Sequence, residues 1–390
     1  MARWPGFRVA LFAVALLGAA CTTSTSRPVE SDVITVGFVV PLTGSDRASA
    51  EPAVQGATVA IADVNSRQAA GASMLRLVQV DDRSNAAAAK QACASLVSAA
   101  HVAAIVGVES AGPQDSCTSA ARTAGVPYLA VEGSARSECA EDVFHLSPPT
   151  GQRVTALVQY LIGQRHLRRF YVVGDSSLES AALLGAAVGQ IATLGGSSVA
   201  SELLPGSPDF AQLGRRISLA RPDVTIDALS GPAQVQYYAA MASDLRMAKM
   251  PFASLELDEI AATNITSPPA GIYLARDYLS ADASPGNQAW LTALIARYGD
   301  GAVPTALGAQ AYDAIELLAA SVRKAGGSTP ARITTALTDV SVDGPRGSVE
   351  IRTGSHGYPT LGMHIGRLDP GHLVSQLFVT QPMNSVVVCS

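Results

Sequence analysis

Residues 103–134 read AAIVGVESAGPQDSCTSAARTAGVPYLAVEGS. This stretch contains two short apolar runs, residues 103–108 and 126–131, each with the length and composition of a strand buried on both faces. A helix over Gln114–Ala124 is predicted between them. Because strand, helix and strand in this order form the repeating unit of a helix-covered parallel sheet, the stretch predicts an α/β fold.

Small polar residues and glycines follow both strands. In an open parallel sheet, ligands bind outside the carboxyl ends of the strands, where turns of this composition expose backbone N–H groups. Ordinary turns between a strand and a helix use the same residue types, so a purely structural role is the competing interpretation. The candidate ligand-binding residues at these two strand ends are Ser110, Ala111, Glu132, Gly133 and Ser134.

The same alternation of strands and helices runs through most of the chain. A first strand is predicted over Val33–Val40 and a second over residues 75–80, each followed by a helix. Residues 143–149 break the rhythm and are interpreted as a crossing to a second lobe, from which residues 272–275 return. Alternating apolar and polar residues near the C-terminus predict antiparallel strands over residues 348–352, 363–368 and 373–379.

The predicted architecture is α/β, with two Rossmann-like, doubly wound parallel-sheet lobes joined by three crossovers. A hinged pair of lobes places the binding site in the cleft between them. The N-terminal lobe is predicted over residues 33–146 and 277–340, and the C-terminal lobe over residues 147–276 and 341–390. The expected hinges lie near residues 146–149, 275–278 and 340–343.

The N-terminus has the pattern of an export signal. Arg3 and Arg8 precede an apolar run, residues 9–20, that is too short to span a bilayer. The run ends in LGAAC, similar to a bacterial lipobox, although Gly18 stands where leucine is usual. Residues 1–20 are therefore predicted to be a lipoprotein signal peptide, and residues 21–32 the lipidated Cys21 with a flexible tether. The alternative is a plain secretory signal, which also places the domain outside the cytoplasm.

Composition favours a globular protein with a sizeable core. Hydrophobic residues make up 48% of the 390 residues and charged residues only 15%. The net charge is −5, and the 27 lysines and arginines form no cluster, which argues against a nucleic-acid partner.

Export permits disulfide bonds between the remaining cysteines. Cys93, Cys117, Cys139 and Cys389 allow three pairings, and the favoured one joins Cys93 to Cys117, which lie on predicted neighbouring helices. No CxxC pair occurs, and no histidine takes a zinc-site spacing with a cysteine. Neither a metal ion nor another cofactor is therefore expected.

Short motifs run through the chain in a characteristic order. They are Val36-Gly37 with Pro41-Leu42-Thr43-Gly44, Gly56-Ala57, Ala60-Ile61-Ala62-Asp63-Val64-Asn65, Val80-Asp81-Asp82, Tyr312-Asp313-Ala314, Val342-Asp343-Gly344-Pro345-Arg346-Gly347 and His364-Ile365-Gly366-Arg367. No single motif is specific. Their order over most of the chain resembles that of the type I periplasmic solute-binding proteins of ABC importers, in particular the leucine-binding-protein-like group that binds branched-chain amino acids, amides or urea.

The resemblance implies a two-lobed binding protein of the Venus-flytrap type and not an enzyme. It implies an extracytoplasmic, lipid-anchored substrate-binding protein of an ABC transporter, held on the outer face of the cytoplasmic membrane or in the periplasm. Such a protein captures a small polar solute, here an amino acid, amide or urea-like molecule, and delivers it to a membrane permease; a monomer is expected. By position, the loops after residues 106 and 131 would hold the ligand's carboxylate and ammonium groups. The second lobe would contribute Glu179, Ser230 and Glu256, the last of them near the ligand ammonium.

The chain departs from the family pattern at its expected binding loops. Amide and urea binders carry an aromatic residue where this chain has Glu109 or Ser110, and another near Leu178. The departure argues against urea or acetamide as the ligand. Glu109 and Glu132 would form an acidic cleft suited to a ligand that carries a cation or many N–H donors, unless both side chains point to solvent, as charged residues usually do.

Two other functions compete with solute import. Residues 107–112 resemble the nucleophile elbow of a serine hydrolase, but they have one residue too many between glycine and serine, and no histidine is placed as its partner. The second competitor is a ligand-sensing or degenerate binding lipoprotein that is not coupled to import, because one fold supports both uses.

Overall fold

The computed structural model describes residues 1–2, 32–108, 114–131, 140, 142–247, 249–266, 268–371 and 373–385. Residues 32–390 form one compact unit. The predicted signal peptide and Cys21 lie outside the described residues. No helix in the described part is both long and apolar enough to cross a membrane.

Helices and strands alternate through the described residues. The strands are β1 Val33–Val40, β2 Met74–Asp81, β3 Ala104–Val108, β4 Tyr128–Val131, β5 Val143–His145, β6 Arg169–Asp175, β7 Ser197–Leu204, β8 Val224–Ala228, β9 Phe252–Ser254, β10 Ile272–Arg276, β11 Val340–Gly344, β12 Gly347–Ile351, β13 Pro359–Thr360, β14 His364–Leu368 and β15 Val374–Val379. The α-helices are α1 Arg47–Ser66, α2 Ala86–Ser98, α3 Gln114–Ala124, α4 Thr150–Gly163, α5 Leu178–Thr193, α6 Phe210–Ala220, α7 Gly231–Ser243, α8 Glu259–Thr263, α9 Pro285–Tyr298, α10 Ala306–Ala325 and α11 Pro330–Leu337.

The first sheet has five parallel strands in the order β2-β1-β3-β4-β5. The strand–helix–strand prediction for residues 103–134 is confirmed, since β3, α3 and β4 follow one another and β3 pairs with β4. Every residue of β3 and β4 is buried, as their unbroken apolar composition requires. The interpretation of residues 143–149 as a crossing is wrong for its first three residues, because these form the edge strand β5 against β4.

The second sheet has seven strands in the order β15-β14-β10-β9-β8-β6-β7. Strands β6 to β10 are parallel, whereas β14 pairs antiparallel with both β10 and β15. Strands β11, β12 and β13 form a small antiparallel sheet of their own. The predicted antiparallel C-terminal strands and the α/β fold class are thus confirmed, with one parallel and one mixed main sheet.

The first hydrophobic core lies between the first sheet and helices α1 and α10. These helices approach so closely that a Cβ atom on Gly56 of α1 would lie 2.0 Å from the carbonyl oxygen of Gly308 on α10, which leaves room only for glycine. Val349 and Ile351 of β12, which the predicted boundary assigned to the C-terminal lobe, pack in this first core instead. The rest of the lobe division stays a prediction.

Separate cores cover the two faces of the second sheet. Leu157, Val172 and Ile226 belong to the core that includes helices α4 and α5, whereas Phe210, Tyr237 and Phe252 belong to the core that includes α6 and α7. Helices on both faces bury the central strands β8 and β9 completely, which is why these strands are largely apolar on both sides.

A disulfide bond joins α2 to α3. Cys93 and Cys117 are both fully buried, and their Cα atoms lie 5.4 Å apart. Cys139 and Cys389 lie outside the described residues.

Loss of this disulfide should lower stability. Because the bridge closes a loop with a sequence separation of 24, we expect Cys93→Ala/Cys117→Ala to lower the free energy of unfolding by about 2–4 kcal/mol. Urea unfolding with and without a reductant measures the loss. The reductant should shift the midpoint of the wild type and leave the double variant unchanged; a wild type whose thiols titrate as reduced but whose midpoint does not move would contradict the prediction.

Candidate ligand-binding site

A cavity of about 370 Å³ lies between elements of both main sheets, next to the chain crossings. One wall is formed by the N-terminal turns of α1 and α10, through Pro52 and residues 305–307. The opposite wall comes from α4, α5, β10 and the segment that follows β9. Ser147, Pro148, Asp277 and Tyr278 lie on the crossings and line it as well. This is the placement expected of a binding cleft between hinged lobes.

Arg346 joins three distant segments of the chain beside this cavity. Its Nη1 atom donates to the carbonyl oxygen of Leu146 at 2.6 Å and to Asp277 Oδ2 at 2.8 Å. Its Nε atom donates to Asp313 Oδ2 at 2.6 Å. The arginine side chain and that of Asp313 are fully buried. Burial raises the pKa of Asp313 to about 6 against the opposing effect of Arg346, so the carboxylate is ionised above that pH and the ion pair is intact.

Gln310 connects the same network to the cavity wall. Its Nε2 atom donates to Asp277 Oδ2 at 2.7 Å and to Ser147 Oγ at 3.1 Å. Because Gln310 lies on α10 and both partners lie on crossings, the helix and two of the crossings are held in one arrangement.

Glu256 reaches the cavity from the loop after β9. Ser254 Oγ accepts hydrogen bonds from the backbone N–H groups of Glu256 at 3.2 Å and Leu257 at 3.0 Å, which fixes the turn. The carboxylate of Glu256 pairs with Arg153 of α4 at 3.4 Å, and each of these side chains is 20% exposed.

A buried polar network lies beneath this loop. Asp227 at the end of β8 accepts hydrogen bonds from Tyr238 Oη, from the backbone N–H of Leu229 at 3.1 Å and from Ser254 Oγ at 3.2 Å. Gln234 Nε2 donates to Ser254 Oγ at 3.0 Å. Burial raises the pKa of Asp227 to about 7, and these hydrogen bonds only partly oppose it.

The other second-lobe candidates fall in different places. Glu179 is exposed and lines the cavity from the first turn of α5, which Ser177 caps by accepting from Ser180 N at 3.1 Å. Ser230 is exposed at the start of α7 and does not line the cavity. The structure therefore brings Glu179 and Glu256 to the cavity but not Ser230.

The first-lobe candidates Ser110, Ala111, Glu132, Gly133 and Ser134 lie outside the described residues, as does Glu109. The strands that lead to them end side by side, because Val108 of β3 and Val131 of β4 are register partners in the parallel pair. The ligand-binding roles of these loops, and the acidic cleft that Glu109 and Glu132 would form, stay predictions.

Two arginines of the cavity were not among the sequence candidates. Arg153 lies on α4, and Arg276 is the last residue of the parallel strand β10. Arg276 Nε donates to the carbonyl oxygen of Leu257 at 2.8 Å. Burial lowers the pKa of Arg276 to about 10, with a further lowering by Arg153, so the guanidinium remains a cation at neutral pH. Its position at the carboxyl end of a parallel strand is the signal that could have identified it.

Two further acidic side chains of the cavity are bonded to the protein. Glu259 accepts from Ser280 N at 3.0 Å and from Ser280 Oγ at 2.6 Å, and burial raises its pKa. Asp258 caps α8 by accepting from Ala261 N at 2.6 Å. Within the described residues, no group of three or more His, Cys, Asp or Glu side chains is arranged to hold a metal ion.

A sequence model of the periplasmic binding protein family matches residues 33–372. The chain belongs to this family. Its members are solute-binding proteins and not enzymes, and the family is extracytoplasmic. Comparison with curated proteins found no significant match.

Solved structures with the same fold are binding components of ABC transporters. A substrate-binding protein from Sphaerobacter thermophilus superposes with a TM-score of 0.78 at 17% identity, covering 91% of this chain and 100% of the other. A solute-binding protein from R. palustris in complex with 4-hydroxybenzoate has a TM-score of 0.74 at 20% identity, covering 90% and 98%. LivJ from Streptococcus pneumoniae in complex with isoleucine has a TM-score of 0.68 at 18% identity, covering 89% and 99%. These identities support a common fold.

Proposed function

We propose that the protein is the extracytoplasmic substrate-binding component of an ABC transporter, which captures a small polar solute such as an amino acid, amide or urea-like molecule. The observation that carries the proposal is the cavity of about 370 Å³ between elements of the two main sheets, at the chain crossings. A cavity of this size accommodates a single small organic molecule. Membership in the periplasmic binding protein family supports the same function.

The mechanism is closure of two lobes around the solute. The open cleft admits the solute, which contacts α1 and α10 on one side and the loops that carry Glu179 and Glu256 on the other. Rotation at the crossings then buries it, and the closed protein presents both lobes to a membrane permease. Ser110 and Ser134 would add hydroxyl and backbone N–H groups from the ends of β3 and β4. Lipidation of Cys21 would hold the protein at the membrane surface.

The ligands of the structural relatives support a small organic solute. The relatives from R. palustris and Streptococcus pneumoniae bind 4-hydroxybenzoate and isoleucine, respectively. Both molecules are smaller than the cavity, and both combine polar groups with an apolar body.

Ligand-dependent thermal unfolding tests the function. We expect one class among amino acids, benzoates, short amides, urea and polyamines to raise the unfolding temperature of the mature protein by several degrees. A ligand present at 100 times its dissociation constant should add about 2.7 kcal/mol of stability, because it binds only the folded state. A heat-inactivated sample titrated in a calorimeter serves as the control. A folded protein that none of these compounds stabilises would contradict solute import and favour a protein that has lost its ligand.

A further inference from the structure

Arg276 is an incompletely bonded cation in the wall of the cavity. It is half-buried, and Leu257 accepts a hydrogen bond from its Nε atom. Within the described part of the chain, neither its Nη1 nor its Nη2 atom donates a hydrogen bond to a protein atom, and it forms no salt bridge. The carboxylates of Glu256, Asp258 and Asp277 lie near enough to favour its charge, but none of them accepts a hydrogen bond from it within the described residues. A ligand carboxylate that accepted from the two Nη atoms would therefore add charge-assisted hydrogen bonds that the protein does not supply.

The acidic side chains around the cavity do not fill this role. Four of the five are engaged elsewhere: Glu256 with Arg153, Asp258 with the first turn of α8, Glu259 with Ser280, and Asp277 with Arg346 and Gln310. The fifth, Glu179, is exposed and forms no salt bridge in the described residues. The acids are therefore largely bonded within the protein, whereas the paired Nη atoms of Arg276 remain available.

The opposite wall adds a second positive element. Helix α10 is 20 residues long, and Thr305, Ala306 and Leu307 at its start line the same cavity. Thr305 Oγ1 caps the helix by accepting from Gly308 N at 3.3 Å. The N–H groups of Ala306 and Leu307 have no acceptor within the helix, and the helix dipole places partial positive charge at this end.

Apolar side chains line the cavity between these two elements. Pro52 and Leu307 come from the α1 and α10 side, and Ile260 comes from α8. Ile260 is 52% exposed, so a ligand with an apolar body would cover it. The cavity thus combines one available guanidinium with an apolar surface.

We propose that Arg276 is the anion-binding residue of the cleft and that the solute is a small monocarboxylate with an apolar body. The carboxylate accepts hydrogen bonds from Nη1 and Nη2 of Arg276, and the apolar body lies against Pro52, Leu307 and Ile260. This inference rests on the proposed function and narrows its solute class. It disfavours urea and polyamines, which have no anionic group to pair with a guanidinium.

Matched carboxylate and amide ligands test the proposal directly. Calorimetric titration of the mature protein compares benzoate with benzamide and isoleucine with isoleucinamide, since each pair differs in the carboxylate. We expect one carboxylate of these pairs to bind and its amide to bind at least 10-fold more weakly. Binding of urea, an amide or a polyamine in place of the carboxylates would overturn the Arg276 inference and leave the proposed function intact. If no compound binds, the proposed function fails, and the inference fails with it.

Variants of Arg276 test whether this residue binds the ligand carboxylate. Arg276→Met keeps an apolar stem and removes the guanidinium, so we expect carboxylate affinity to fall 10- to 100-fold. Arg276→Lys retains the positive charge without the planar pair of donors, so it should recover part of the carboxylate affinity that Arg276→Met loses. Because burial and Arg153 together outweigh the nearby carboxylates in their effect on the Arg276 charge, and Arg276 forms no salt bridge in the described residues, the ligand-free Arg276→Met protein should unfold close to the wild-type temperature. Arg332→Met, at an exposed position on α11, is the control. Unchanged carboxylate affinity in Arg276→Met would overturn the assignment.

Discussion

Replacement of Arg346 by methionine is expected to lower the free energy of unfolding by about 3–5 kcal/mol, because it leaves two buried carboxylates without their cation. Asp313 would lose its ion pair in a fully buried position. Of the side-chain hydrogen bonds that Asp277 accepts within the described residues, only the one from Gln310 would remain. The carbonyl oxygen of Leu146 would lose a donor as well. Urea unfolding at pH 8, which lies above the raised pKa of Asp313 in the wild type, measures the loss.

Three comparisons separate this effect from a general loss of packing. Arg352→Met removes an exposed arginine that pairs with Glu350, so it should change stability by less than about 1 kcal/mol. Adding Asp313→Asn to Arg346→Met neutralises the unpaired carboxylate and should restore part of the loss. The single variant should also lose less stability at pH 5.5, because burial already raises the pKa of Asp313 to about 6 and removal of the arginine raises it further. An equal loss at both pH values would contradict the ion-pair explanation.

The parts of the fold that the sequence predicts correctly are those with local signals. The helix Gln114–Ala124 and the strand Val33–Val40 are predicted at their observed bounds. In each, the composition of a few neighbouring residues carries the signal. The antiparallel C-terminal strands are predictable as well, because alternation with a period of two is also a local pattern.

Contacts between distant segments were not predictable in this way. Arg346 stood out only as part of a family motif, and nothing in its neighbours indicates that it contacts residues 146, 277 and 313. Gly56 appears in the sequence only as part of a family motif, but in the structure it marks the place where α1 touches α10, at Gly308, 252 positions further along the chain. Such pairs depend on how the layers pack, which a single sequence does not specify.

The candidate site was predicted in part. The family resemblance pointed to Glu179 and Glu256, which line the cavity. The rule that ligands bind at the carboxyl ends of parallel strands selected the loops after β3 and β4, whose role stays a prediction because they lie outside the described residues. The same rule applies to Arg276 at the end of β10, but that segment was interpreted only as a return crossing. Asp227 was missed because it stands within an apolar strand, and its hydrogen-bond partners lie on α7 and β9.

Asp227→Asn is expected to remove a pH-dependent loss of stability of up to about 4 kcal/mol. Burial raises the pKa of Asp227 from its ordinary 3.8 to about 7. Between these values the folded protein keeps a proton that the unfolded chain releases, so the stability of the wild type falls as pH rises through this window. A separation of about three pKa units corresponds to about 4 kcal/mol. Asparagine does not ionise, so the variant should be nearly as stable as the wild type at pH 4 and more stable at pH 8.

The expected result depends on the hydrogen bonds that asparagine preserves. Its side-chain oxygen can accept from Leu229 N and Ser254 Oγ, and its amide can donate to Tyr238 Oη, so the turn that holds Glu256 should remain in place. Tyr238→Phe provides the opposite change: it removes a donor that favours the ionised carboxylate, so the fall in stability should extend to higher pH. The measurement is the difference between the urea-unfolding free energies of variant and wild type from pH 4 to pH 8, in which contributions from the other acids cancel. A difference that does not change with pH would mean that Asp227 is ionised throughout this range. The hydrogen bonds that hold the loop of Glu256 would then be accepted by a charged carboxylate and not by a protonated one.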